Sequence, residues 1–280
     1  MSAHSTSAYF CVMKYLFGAI LSLLFLSCKN QNNNQQPGKL QTHEIPVAIR
    51  DLMQKVSQNP DSAGLRFQLV DALDSMGAYQ QALSQVDSLI RKDSLNYALW
   101  YRKALVQENT KDTSGALRSF KYAIRIYPSP DALLGAANLL AERKNDTALL
   151  ISKQVASLRL GREYTAHCNF INGVYYARTG AQQKALDAFN TCIINDLNYM
   201  EAYMEKGFLY FDNKKTAEAL QVFKTVVTVK NTYADGYYWM AKCNEALNNK
   251  ADAISNYQQA LTLDPKLAEA ADALKRLGAN

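Results

Sequence analysis

The sequence predicts an all-α chain, an α-solenoid superhelix of about six helix–turn–helix repeats closed at both ends by capping helices. Three observations predict it. Glycine and proline are scarce, 12 and 6 among 280 residues, and alanine and leucine are spread throughout, a balance that favours helix over strand. An alanine followed by an apolar residue returns at a constant interval, as Ala48-Ile49, Ala82-Leu83 and Ala116-Leu117, then as Ala185-Leu186, Ala219-Leu220 and Ala253-Ile254. Four residues after each alanine stands a large apolar side chain (Leu52, Val86, Phe120, Phe189, Phe223, Tyr257), and eight after it another (Val56, Ile90, Ile124, Ile193, Val227, Leu261). Positions i, i+4 and i+8 form one face of a helix. The interval between the alanines matches the length of a helix–turn–helix unit, about 34 residues.

The chain opens on a leader, expected over residues 1–27. Met13 is the more natural initiator, since Lys14 directly precedes an apolar run from Tyr15 to Leu26. That run is too short for a membrane-crossing helix, which needs about 20 apolar residues, and suits the core of a signal peptide. Ser27-Cys28 resembles a lipobox, where the cysteine takes a thioether-linked lipid and the leader is removed; Phe25 and Leu26 depart from that pattern. From Cys28 to residue 44 the chain is expected to be a lipidated, flexible tether, because Lys29 to Gly38 is rich in Asn and Gln and holds no apolar residue. By resemblance to lipoproteins of Gram-negative bacteria, Lys29 after the cysteine implies the outer membrane.

The repeats follow in order. Residues 45–62 hold a lone second helix that caps the start, with Pro60 ending it. Units are expected at 63–96, 97–128, 129–165, 166–199, 200–233 and 234–267, and 268–280 hold a C-terminal capping helix that hides the last apolar face. The third unit is degenerate: its alanine, Ala148, comes early after Ala116, and Ala185 then comes late. The slack falls around residues 157–164, where Gly161 suggests a break. Gly173, Gly207, Ala104 and Ala241 are expected where each first helix presses on the small alanine of the second.

These marks resemble the tetratricopeptide repeat family. Tyr203, Gly207, Tyr210, Ala219 and Phe223 stand at its signature spacing. Gly173, Tyr176, Ala185 and Phe189 repeat the pattern, as do Trp100, Ala104, Ala116, Phe120 and Pro128, and Tyr237, Ala241, Ala253, Tyr257 and Pro265. The resemblance implies a right-handed superhelix whose first helices face a concave groove. The fifth position of each first helix would then line the groove with Phe67, Tyr101, Phe170, Met204 and Tyr238, with Leu133 in the weak unit. Relatives that grip acidic chaperone tails carry Lys and Asn there, which this chain does not. An aromatic ladder suits a peptide with apolar anchors; equally, curvature could bury it between helices.

Chemistry is sought and not found. The sequence has no glycine-rich phosphate loop, nucleophile elbow or metal-binding His pair, so no enzyme, cofactor or metal is expected. The net charge of +6 is modest and interleaved, without the basic stripe of a nucleic-acid binder. Cys192 and Cys243 occupy positions filled by Ala, Val or Leu in sister repeats and read as small core residues; a Cys168–Cys192 disulfide is the alternative use of two of the thiols. The triplets around Ser62, Ser94 and Thr147 (Asp-Ser or Asp-Thr, then an apolar residue) resemble an O-glycosylation site of exported bacterial proteins. They also suit helix capping.

The leading expectation is a membrane-anchored scaffold or adaptor binding protein or peptide partners in the cell envelope. It would face the periplasm and, by resemblance, serve outer-membrane assembly, pilus or cell-wall machinery. The alternative is a ligand-binding lipoprotein of glycan uptake, which the two tryptophans disfavour.

Overall fold

The computed structural model describes residues 45–279. The leader, Cys28 and the tether lie outside the described residues. Those described are helical and strand-free, with fourteen helices joined by short turns, and none of these helices is long and apolar enough to cross a membrane. The chain divides into two compact units at Ser119 and Phe120, within the helix Thr113–Ile126.

The first unit begins with α1 (Val47–Gln58), α2 (Ala63–Ser75), α3 (Tyr79–Lys92) and α4 (Tyr97–Asn109), and runs into α5 (Thr113–Ile126). Each of α1 to α3 packs on the helix that follows it. Their core is Val56, Leu69, Val70, Leu73, Ala82, Val86, Leu89, Ile90, Leu99 and Val106. Ser62 and Asn96 start α2 and α4 by accepting the N–H of Leu65 at 3.4 Å and of Ala98 at 3.1 Å, the capping that Ser and Asn side chains supply. Near the end of the unit, Ser119 Oγ donates to Gln107 Oε1 at 2.6 Å, satisfying two buried polar side chains at once.

The second unit takes in the end of α5, then α6 (Pro130–Glu142), α7 (Thr147–Ser157), α8 (Arg162–Thr179), α9 (Gln182–Asn195), α10 (Met200–Asp212), α11 (Thr216–Val229), α12 (Ala234–Ala246), α13 (Lys250–Leu263) and α14 (Ala268–Leu277). Consecutive helices from α6 on pack on one another, and α6 also touches α8, as α8 touches α10. First helices therefore approach each other across the third, fourth and fifth repeats.

The signature alanines Ala148, Ala185, Ala219 and Ala253 are fully buried. Gly173 and Gly207 do mark where a first helix presses on the second, but the nearest group there is an aromatic ring rather than the alanine. A Cβ on Gly207 would lie 2.5 Å from the Phe223 ring, and one on Gly173 would strike Phe189. The close partner is the aromatic ring four residues beyond the alanine, because the ring lies against the facing backbone and needs the room that a side chain would fill. Gly135 gives the same room to Phe120.

Every turn inside a repeat closes alike. One residue adopts the left-handed conformation, at Gly77, Lys111, Lys144, Gly180, Lys214 and Asn248. The next N–H then reaches back to a carbonyl of the last helical turn, as Ala181 does to Tyr176 at 2.9 Å and Lys215 to Tyr210 at 2.9 Å. This is the Schellman closure. The irregular third repeat shows where its slack goes: α7 has 11 residues, α8 has 18 and begins a turn ahead of Ala166, and Arg159 and Gly161 both take positive φ between them.

Candidate binding face

The residues of the aromatic ladder fall into different environments. In the first unit Phe67 is half-buried against the core, and Tyr101 is half-buried with its ring stacked on Tyr97 at 5.7 Å. In the second unit Phe170 and Met204 are 5% and 6% exposed. Phe170 packs on Tyr199 at 4.9 Å and on Phe189 at 6.0 Å. These two side chains build the wall between helices and present little surface to a partner. Tyr238 is half-buried and borders an open hollow.

That hollow, of about 600 Å³, is formed by α10, α12, α13 and α14 and lined by Phe211, Tyr238, Lys242, Glu245, Tyr257 and Arg276 among others. The packing around it is aromatic. Trp239 packs on Phe208, Phe211 and Phe223 with centroids 4.6, 5.6 and 5.9 Å away, and Tyr238 meets Tyr257 at 5.7 Å. Lys242 holds its ammonium 5.9 Å from the Tyr238 ring centre and 5.4 Å from that of Trp239, within cation–π range. Glu245 accepts from the Tyr257 hydroxyl at 3.0 Å and from both terminal nitrogens of Arg276. The Arg276 hydrogen bond chiefly holds the Glu245 carboxyl below its ordinary range. Burial, followed by the charge of Glu245, pushes the Tyr257 hydroxyl well up.

A second feature of this face was missed in the sequence. Arg178, on α8, donates Nε and Nη2 to the Glu142 carboxylate at 2.8 Å each, and Nη1 and Nη2 to Glu205 at 2.7 and 2.8 Å. Glu142 is on α6 and Glu205 on α10, so one guanidinium staples the first helices of three successive repeats. The three side chains are largely buried, Arg178 being 15% exposed, Glu142 19% and Glu205 13%. In the first unit Arg102 lies between two aspartates of α2. Its Nη2 donates to Asp74 at 2.9 Å, and its Nε is 2.7 Å from Asp71, an ion pair not aligned as a hydrogen bond. The signal was legible in principle, since opposite charges recur on corresponding faces of consecutive first helices.

The cysteines Cys168, Cys192 and Cys243 are free thiols, at most 2% exposed. Burial pushes the Cys168 thiol up to about 11 and Cys243 up to about 12, far from the thiolate that reactivity requires. Among the described residues no group of His, Cys, Asp and Glu could hold a metal ion. Ser62 caps α2 through its hydroxyl, whereas Ser94 is exposed in a turn and Thr147 is exposed at the start of α7.

The tetratricopeptide repeat pattern matches residues 67–129, 201–233 and 234–267. Residues 67–129 and 201–267 are tetratricopeptide repeats. Among solved structures, a tetratricopeptide repeat protein from Parabacteroides merdae superposes with a TM-score of 0.68 at 19% identity, covering 82% of this chain and 91% of its own. PilW, a type IV pilus biogenesis factor, superposes at 0.61 and 19% identity, over 76% of this chain and 99% of its own. Both likenesses are of fold. No curated protein matches the sequence significantly.

Proposed function

We propose that this chain is a lipid-anchored scaffold of the cell envelope that holds protein or peptide segments against the first-helix face of its tetratricopeptide repeats. The observation that carries the reading is the placement of Tyr238. The C-terminal core closes around Ala241, Ala253, Tyr257, Ala270, Ala273 and Leu274, and Tyr238 stays half-exposed over an open hollow. An aromatic side chain with one face left to solvent suits a partner's anchor. Tyr101 would serve likewise in the first unit. Phe67 makes a smaller contribution, and Phe170 and Met204 act by shaping the wall. The anchor rests on the leader and on Cys28, with residues 29–44 as tether and the outer membrane, facing the periplasm, as its site. Outer-membrane assembly, pilus biogenesis and cell-wall machinery are the processes such a build suits. Ser94 and Thr147 are the triplet hydroxyls best placed for glycosylation, with Ser62 already engaged as a cap.

Two experiments test the reading. Cys28→Ser should abolish labelling by a clickable palmitate analogue in cells and move the protein from the membrane fraction or leave its precursor uncut. Equal labelling of wild type and variant removes Cys28 as the anchor. Tyr101→Ala and Tyr238→Ala should each lose partners cross-linked to the native protein in cells while helix content and melting persist. Partners retained by both folded variants would refute the face as the binding surface.

A further inference from the structure

The hollow beside Tyr238 has a charge character as well as a shape. The chain as a whole is basic, with 31 Lys and Arg against 25 Asp and Glu. The first helices of the second unit run the other way. Helices α6, α8, α10, α12 and α14 carry ten acidic and six basic residues, while α7, α9, α11 and α13 carry three acidic and four basic. Negative charge is thus gathered on the first helices of this stack, and the hollow's own lining holds three carboxylates, Glu245, Glu269 and Asp272, beside Lys242 and Arg276.

The same helices already show how they receive a cation. The guanidinium of Arg178 sits between carboxylates of two neighbouring first helices. That of Arg276 reaches back from α14 to Glu245 of α12, and the ammonium of Lys242 rests over two aromatic rings. The chain therefore supplies three cations of its own to this lining, each met by a carboxylate of an adjacent first helix or by an aromatic face. At the outer rim two carboxylates remain available. Glu269 and Asp272 line the hollow from α14 and are exposed. Asp272 has a single loose ion pair, with Lys275 at 3.9 Å.

We infer that the hollow bounded by Phe211, Tyr238, Glu269 and Asp272 is a docking site for a basic protein segment, one that presents an arginine or lysine over the Tyr238 and Phe211 rings to the two rim carboxylates. The inference rests on the scaffold reading above and adds the partner's chemistry to it. The long apolar stem of the basic side chain lies along the rings, and its charged head meets the carboxylates. Arginine is preferred to lysine, because its planar fork both stacks on an aromatic face and bridges carboxylates.

The test uses the full chain in mild detergent with fluorescein-labelled twelve-residue peptides. Each places one Leu-Arg-Leu, Leu-Lys-Leu, Leu-Gln-Leu or Leu-Glu-Leu centre in a Gly-Ser background, and affinity is read by anisotropy. The arginine peptide should bind at least about tenfold more tightly than the glutamine peptide, and the preference should fall as salt rises from about 50 to about 500 mM, because exposed charges are screened. The double change Glu269→Gln with Asp272→Asn, at exposed positions outside the core, should erase that preference without altering the circular dichroism spectrum. A second variant, Tyr238→Leu, should weaken the arginine and lysine peptides more than the glutamine peptide. Equal binding of all four peptides, preference for glutamate, or an arginine preference untouched by the double change would each overturn the inference. The scaffold reading is decided separately by the in-cell cross-links. Cross-linked partners that persist in the double variant would leave that reading standing while this one falls.

Discussion

The guanidinium staple gives the sharpest stability prediction. Replacing Arg178 with Met keeps much of the side-chain volume and removes the charge, which leaves Glu142 and Glu205 facing each other across α8 in a largely buried lining. Each Arg–Glu pair at such separations is worth about 4 kcal/mol before desolvation, at the effective dielectric of a partly buried site. Desolvation of the three charges offsets a large part of the sum of the two pairs. Removing one partner of a buried ion pair nonetheless costs about 3–5 kcal/mol, since the remaining charges stay buried without compensation. Arg178→Met should lower the unfolding free energy of the second unit by that amount in urea titrations followed by circular dichroism. The triple change Arg178→Met, Glu142→Leu, Glu205→Leu should recover most of it, because a buried ion-pair network is often matched by apolar residues of similar size. A single variant within about 0.5 kcal/mol of wild type, the range of an ordinary surface substitution, would show that the network adds nothing. A triple variant as unstable as the single one would show that the loss is steric.

Two further tests concern single residues. Burial raises the Glu108 carboxyl to about 7 from the ordinary 4.5, so the folded state keeps a proton that the unfolded chain releases. This residue's contribution should therefore fall as pH rises from about 4.5 to about 7, by about 3 kcal/mol in all; Glu108→Gln should remove that slope and stabilise the chain at pH 8 but not at pH 4, and parallel pH profiles for the two proteins would rule the idea out. Lys214 holds φ at 62° in the α10–α11 turn, where a side chain costs about 1–2 kcal/mol and glycine costs only backbone entropy. Lys214→Gly should raise the melting temperature slightly and Gly180→Ala, at the corresponding turn, should lower it; the opposite order would contradict the assigned turn geometry.

What could be read from the chain alone follows from how helices bury surface. Ala82, Ala185, Ala219 and Ala253, with the apolar residue four positions on, recur at a period that only a helix pair of that length can satisfy. Burial at those positions is local to one helix face, so the spacing determined the repeat and the strand-free class. The capping helix at residues 268–277 was legible for the same reason.

The pairings were decided by the tertiary structure. Gly207 marks close approach in the sequence, but whether the approaching group is Ala219 or the ring of Phe223 depends on how two helix surfaces interlock, which periodicity does not encode. The fifth-position aromatics look equivalent in sequence, whereas Phe170 closes a wall and Tyr238 borders a hollow, because neighbouring side chains such as Tyr199 and Trp239 differ from repeat to repeat. Lys111, Lys144 and Lys214 give no hint of a left-handed turn, since a lysine adopts that conformation only when the flanking helices impose it. The staple through Arg178 joins residues 36 and 27 positions away, and long-range contacts of that kind are settled by packing geometry, which places three charges at one point that no local pattern in the chain specifies.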